Sequence, residues 1–238
     1  MQDAAISNDK VRLYVIGDIH GRLDLLERAA AAITRDVATH GGDALTVTLG
    51  DYIDRGPASR GVLDRLIGNP FPTRYVALKG NHEALLEAFI ADPAVGDHWW
   101  RLGGIETLDS YGVPVSGFLT RKSYEEAAER LLAAVPPAHI EFLQSLKTSL
   151  SHGKYFLCHA GVRPGVPLDR QSDDDLLWIR GEFLTSTIDF GKLVVHGHTP
   201  VERPHVLSNR INIDTGAFAT GRLTCVALEE YSLRFLSV

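Results

Sequence analysis

Cysteine is nearly absent from this chain: only Cys158 and Cys225 occur in 238 residues. Two thiols make no disulfide framework and fit a reducing compartment. Cys158 reads as a buried structural thiol. No run of about 18 apolar residues occurs, so no membrane-spanning helix and no membrane partner are expected. Residues 1–10 are polar and lack the apolar stretch of a signal peptide, which makes a cytoplasmic location the expectation. Positive charge is also short: Lys+Arg 24 against Asp+Glu 30 gives a formal net charge of -6. That leaves no basic footprint for a general nucleic-acid binder, and no nucleic-acid partner is expected. Repeats, low-complexity tracts and a clear interdomain linker are missing too. A hydrophobic fraction of 45% and a charged fraction of 23% are ordinary for a soluble globular protein. One domain over 1–238 is the simplest count. No motif sets an oligomeric state.

What the chain does have is five short motifs in order: Gly-Asp-Ile-His-Gly at 17–21, Gly-Asp-Tyr-Ile-Asp-Arg-Gly at 50–56, Gly-Asn-His-Glu at 80–83, Cys-His-Ala-Gly at 158–161 and Gly-His-Thr-Pro at 197–200. Each follows an apolar run that reads as a buried strand, at 11–16, 44–49, 75–78, 155–157 and 192–195. Helical patterns follow the first three, at about 23–40, 59–67 and 82–90. Alternating strand and helix predicts an α/β fold, with a parallel sheet and right-handed crossovers. Ligands of such sheets gather outside the carboxyl ends of the strands, where the first three motifs lie. Residues at about 92–136 look different, with Trp99, Trp100, Gly103, Gly104 and a helical stretch at 124–135. They read as a helical insertion beside or over the site, its aromatic pair either core or substrate contact. Another helix is expected at 138–146. Strands at 205–207, 211–213, 223–228 and 232–236 read as an antiparallel meander.

The motifs carry a mixture of hard oxygen ligands and imidazoles, which suits two divalent first-row metals. Asp18 and His20, two apart in a turn, can aim at one cation. Asp51 has two oxygens and can bridge two cations. Asn81 offers a neutral carbonyl oxygen. His159 and His198 come from later strands and complete the second metal. His82 is suited to protonating a departing alkoxide, with Asp54 holding its ring; the alternative is a residue that merely orients a ligand. Arg55 offers a planar fork of donors to phosphate oxygens, or else pairs with Asp54 or Asp51. Arg180 is a candidate second phosphate clamp or a solvated arginine. His196, two residues before His198, shares its face if the strand continues. It is a candidate substrate contact, a ligand or a buried partner. Trp178 reads as core, and Asp173-Asp174-Asp175 as a solvated run or a helix start. Asp214-Thr215-Gly216 ends another strand near the site and takes no role.

These motifs, spanning Gly17 to Pro200, resemble the phosphoprotein phosphatase family of calcineurin-like metallophosphoesterases, of the small bacterial serine/threonine phosphatase type. The resemblance implies a central β-sandwich flanked by helices and a dinuclear centre of two divalent metal ions, manganese first, with iron, zinc or cobalt as alternatives. It places Asp18, His20 and Asp51 on the first metal, and Asp51, Asn81, His159 and His198 on the second. His82 with Asp54 becomes the acid pair, and Arg55 and Arg180 bind phosphate. Where the wider superfamily has Gly-His-x-His, this chain has Gly197-His198-Thr199-Pro200. The implied activity is hydrolysis of phosphoserine and phosphothreonine in proteins, and of phosphotyrosine, by direct attack of a hydroxide. The substrate is then a phosphoprotein or a phosphorylated small molecule. The alternative is a symmetric dinucleoside tetraphosphate hydrolase. A nuclease is disfavoured by the negative charge. An inactive binding protein requires broken ligands, and none is broken.

Overall fold

The computed structural model describes residues 11–114, 120–230 and 232–238; the opening segment 1–10 and part of the expected insertion, 115–119, lie outside them. The first third alternates as the periodicity predicts: β1 (Arg12–Ile16), α1 (Leu23–His40), β2 (Ala44–Thr48), α2 (Ser59–Ile67), β3 (Arg74–Ala77) and α3 (Asn81–Ala91). A helical segment follows, with α4 (Gly96–Trp99), a π-helical turn at Trp100–Gly104, α5 (Ile105–Ser110), α6 (Arg121–Ala134) and α7 (Pro137–Ser145). The remainder holds β4 (Ser149–His152), β5 (Tyr155–Cys158), α8 (Asp173–Trp178), α9 (Gly181–Leu184), β6 (Leu193–His196), β7 (His205–Val206), β8 (Arg210–Asn212), α10 (Ala217–Thr220), β9 (Cys225–Leu228) and β10 (Leu233–Leu236).

The strands form two five-stranded sheets, in the orders β10-β9-β1-β2-β3 and β4-β5-β6-β8-β7. In the first, β1, β2 and β3 are parallel and β9 and β10 antiparallel. In the second, β5, β6 and β8 are parallel, with β4 and β7 antiparallel at the edges. Strand side chains alternate between faces, so Leu13, Val15 and Val47 meet Leu157, Val195 and Ile211 in a core between the sheets. Tyr14 and Ile16 point the other way, into the core shared with α1, α2 and the helical segment. Phe156 and Val194 pack on α8 and α9 beyond the second sheet. The result is an α/β fold: a β-sandwich with helices on its outer faces, and both sheets sending parallel strand ends to one rim.

The last four strands are not one meander. β7 and β8 form a hairpin in the second sheet, and β9 and β10 a hairpin in the first. Their local pairing is antiparallel, but β8 then joins β6 in parallel and β9 joins β1. The helical segment is tied to Asp64 on α2 by a relay of hydrogen bonds. Tyr111 O–H donates to His139 Nδ1 at 2.6 Å, and His139 Nε2–H donates to Asp64 at 2.9 Å. Among the described residues no helix is long and apolar enough to cross a membrane.

Candidate metal centre

The loops after β1, β2, β3, β5 and β6 meet at the shared rim. They are laced by the backbone: Ile19 and His20 N–H both donate to Asp51 O, at 3.0 and 2.8 Å, and Gly197 N–H donates to His159 O at 2.7 Å. The packing forces unusual dihedrals. Of the six non-glycine residues with left-handed φ among the described residues, five are here: His20, Asp51, Asp54, Arg55 and His198. Each stores strain of order 1 kcal/mol that the surrounding structure must offset. Gly197 is required for a different reason, since a Cβ there would collide with Asp18 Oδ1.

Two groups of side chains could hold cations, and they share Asp51: His20, Asp51 and His82, and Asp51, His159 and His198. His20 Nδ1–H donates to Ile53 O at 2.8 Å, leaving the Nε2 lone pair 3.4 Å from Asp51 Oδ2. His159 Nδ1–H likewise donates to Leu49 O at 3.0 Å, and its Nε2 lies 3.4 Å from Asp51 Oδ1. His198 Nδ1 and His159 Nε2 both converge on Asn81 Oδ1, at 2.8 and 2.9 Å. The two 3.4 Å separations match neighbouring ligand atoms around one cation, which metal–ligand bonds of about 2.1 Å put roughly 3.0–3.4 Å apart, and the contacts to Asn81 are slightly shorter. Burial lowers the pKa of His20 to about 3 and that of His198 to about 2, so both present neutral imidazoles. Burial also lowers His159. Burial would raise Asp51, but the imidazoles of His159, His82 and His20 outweigh it and hold its pKa below the ordinary value.

Asp18 sits at the same place but outside the first group of three. Its Oδ2 accepts the His198 N–H at 3.0 Å, and its buried Oδ1 has no partner. Burial, then the neighbouring Asp214 and Asp51, push its pKa well up. Burial also raises Asp214, to about 6. Carboxylates crowded this closely need a cation, so the donor set fits the two divalent ions. His82 makes a poorer ligand than Asp18. Its Nε2 lies 3.8 Å from Asp51 Oδ2 but only 3.1 Å from the Arg55 guanidinium, itself a cation.

His82 is the second residue of α3, where its N–H donates to Asp51 Oδ1 at 3.1 Å, and its Nδ1–H donates to Asp54 Oδ2 at 2.6 Å. Burial disfavours its charged form, but Asp51 and Asp54 outweigh that and raise its pKa. Arg55 makes no ion pair with Asp54 or Asp51. Its described contacts are the Leu102 carbonyl at 3.3 Å, His82 and the ring of Phe218. Arg180 is exposed on the His198 side and reaches Thr199 Oγ1 at 3.4 Å. His196 does not join the site. It is fully buried and packs edge-on against Phe183, with ring centroids 4.9 Å apart. The expectation of a shared face needed a continuing strand. β6 ends at His196, and the left-handed φ of 66° at His198 turns the chain away.

Three contributors escaped the sequence reading. Glu83 is fully buried and accepts N–H bonds from Gly80, Tyr52 and Asp51 at 2.8, 2.8 and 2.9 Å, clamping the loops after β2 and β3 together. Burial and Asp51 raise its pKa to about 7, while these N–H donors pull it back. Trp99 and Thr107 hold Asp54: the indole N–H donates to Oδ2 at 2.9 Å and the hydroxyl to Oδ1 at 2.6 Å. The aromatic pair is therefore core, and one member carries a polar contact to the site. Glu83 stood in the third motif, and its spacing from Gly80 is that of a capping box. Nothing local marks Thr107, or the bond from Trp99 to Asp54. Asp173-Asp174-Asp175 begins α8, capped by Ser172, and Asp175 pairs with Arg163.

A sandwich rim that gathers buried imidazoles, carboxylates and an amide around one shared aspartate defines a metallophosphoesterase. The chain belongs to the calcineurin-like phosphoesterases, whose family model matches residues 11–226. It is therefore an enzyme of the phosphatase class, and the family works with a dinuclear divalent metal centre. Serine/threonine-protein phosphatase 2 of Salmonella typhimurium is 33% identical over 232 residues, covering 93% of this chain and 95% of that protein. An asymmetrical bis(5'-nucleosyl)-tetraphosphatase of Anoxybacillus flavithermus is 27% identical, covering 91% and 90%. Among solved structures, a candidate diadenosine tetraphosphatase shares the fold with a TM-score of 0.66 at 21% identity, over 96% of this chain and 94% of that one.

Proposed function

We propose that this chain removes phosphate from phosphoserine and phosphothreonine in proteins, by in-line attack at phosphorus without a covalent phosphoenzyme. Asp18, His20 and Asp51 would hold one cation; Asp51, Asn81, His159 and His198 would hold the other. When bound, the cation pair would supply an acidified water and draw charge from the phosphoryl oxygens. Arg55 and Arg180 flank the centre and supply N–H donors to the remaining oxygens. As the water oxygen bonds to phosphorus, the bond to the leaving oxygen breaks. His82 gives that oxygen its proton, and Asp54 stabilises the imidazolium beforehand. Manganese is the first choice of metal, ahead of iron, zinc and cobalt.

The observation that carries the substrate class is the buried Asp54–His82 pair, with its 2.6 Å hydrogen bond. A serine or threonine alkoxide is a strongly basic leaving group and needs a proton donor. A phosphate leaving from an anhydride is weakly basic and does not. The relative at 33% identity, named a serine/threonine-protein phosphatase, supports the same reading. The second reading is a dinucleoside tetraphosphate hydrolase, favoured by the relatives that bear that name, which are described as asymmetrical. Steady-state kinetics with added Mn²⁺ separates the two. A higher kcat/KM for a phosphothreonine peptide than for diadenosine tetraphosphate is expected, and the reverse order overturns the assignment.

A further inference from the structure

Phe218 is an exposed phenyl group beside a polar centre, retaining 37% of its surface. It stands on α10, a single turn that the chain enters and leaves through left-handed glycines, Gly216 and Gly221. The turn is held firmly. Arg22 Nη1 donates to Ala217 O at 2.9 Å, Thr220 Oγ1 donates to Thr215 O at 2.8 Å, and Gly216 N–H donates to Asp214 Oδ1 at 2.9 Å. From this platform the ring meets His20 edge-on at 5.5 Å, and the Arg55 guanidinium lies over it, 4.8 Å from the centroid.

Arg55 needs such a support. Its direct contacts are a carbonyl, an imidazole and this phenyl; the carboxylates of Asp18 and Asp214 act on it only through space, without an ion pair. Its backbone is fixed on the other side, where Arg55 N–H donates to Gly103 O at 3.1 Å. A Cβ at Gly103 would lie 2.6 Å from Arg55 N. A carboxylate partner would hold the side chain but neutralise it. The negative face of an aromatic ring holds a guanidinium and leaves its charge available.

We infer that Phe218 is a positioning residue for Arg55, its ring keeping the guanidinium aimed at the phosphoryl site without neutralising it. This rests on the reading that Arg55 binds phosphate. Phe218 belongs to the loop after β8, which the motif analysis left without a role.

The test is binding of inorganic phosphate to the Mn²⁺-loaded protein by calorimetry, together with KM for p-nitrophenyl phosphate, across Phe218→Leu, Phe218→Tyr, Phe218→Trp and a series of ring-fluorinated phenylalanines. Phe218→Leu should weaken phosphate binding roughly 3- to 10-fold with metal content unchanged, while Tyr and Trp stay within about two-fold. Progressive fluorination, which drains the ring's negative face at nearly constant shape, should weaken binding stepwise. In an Arg55→Gln background the Phe218 series should have no further effect. Retention of full affinity in Phe218→Leu, a flat fluorination series, or an effect that persists without Arg55 each overturns the proposal. If Arg55→Gln alone leaves phosphate binding unchanged, the role of Arg55 fails and takes the proposal with it. The substrate preference proposed above is untouched by that outcome, because inorganic phosphate and p-nitrophenyl phosphate test neither alternative.

Discussion

Trp99→Phe removes one N–H and part of a buried ring, which makes it a probe of how the helical segment serves the site. Asp54 is fully buried and accepts three bonds: from His82 at 2.6 Å, Trp99 at 2.9 Å and Thr107 at 2.6 Å. A hydrogen bond to a buried charge contributes about 1.5–3 kcal/mol. The smaller ring leaves a void beside Phe89, whose ring centroid lies 4.6 Å from that of Trp99, and this adds about 1 kcal/mol. The expected loss of stability is therefore about 2.5–4 kcal/mol, read as a shifted urea midpoint with an unchanged slope. Because the lost donor orients the carboxylate that holds His82, turnover of a phosphothreonine peptide should fall more than turnover of p-nitrophenyl phosphate, whose leaving group needs little protonation. Thr107→Val should behave similarly, and the double variant should be non-additive because both groups serve one carboxylate. A Trp99→Phe protein within about 0.5 kcal/mol of wild type, with both substrates affected equally, would refute the argument.

Glu83→Gln puts an amide NH₂ against backbone N–H donors, so stability should drop by about 3 kcal/mol, and a chelator competition should show weaker metal binding. Unchanged metal affinity would separate Glu83 from the centre. Asp51→Asn should lower bound metal below two ions per chain and cut turnover by at least about 10²-fold; elemental analysis retaining both ions would remove Asp51 as the bridge. Asp36 offers a test by pH. Hydrogen bonds from Arg234, despite some desolvation, lower its pKa from 3.8 to about 2. A folded-state pKa depressed in this way contributes stability above the unfolded value that is lost as pH falls. The stability gap between wild type and Asp36→Asn should therefore close between about pH 4 and 2, and a gap that stays constant across that window would contradict the assignment.

Strands β1, β2, β5 and β6 were legible because their apolar runs are buried on both faces, the half-exposed β3 because its run precedes a motif, and helix α2 because its pattern is strongly periodic. β4 was not legible. Its sequence Ser-Leu-Ser-His offers one apolar residue, and it exists as an edge through pairing with β5. The division of the last four strands between two sheets was equally hidden, because only contacts distant in sequence decide it. Candidate ligands could be named from residue type and order, yet the arrangement depends on left-handed dihedrals at His20, Asp51, Asp54, Arg55 and His198 that tertiary packing imposes. The same packing moved His196 into the core. Trp99 and Thr107 reach Asp54 across 45 and 53 residues, a distance over which no local pattern operates.

The return of β9 to pair with β1 governs how this protein comes off the ribosome. Leu13 faces Leu228 and Ile16 faces Cys225 across that junction, so one flank of β1 finds its partner only once residues 225–228 are made, more than 200 residues later. At typical synthesis rates of about 5–20 residues per second, the flank stays open for roughly 10–40 s. During that interval β1, β2 and their helices can assemble locally, but an apolar strand edge remains available to any other nascent chain. Shielding of that edge by a chaperone, followed by late closure of the C-terminal hairpin, is the expected order of events. Chains halted just short of residue 225 should be caught with the β9-facing amides of β1 unprotected from hydrogen exchange and those facing β2 protected.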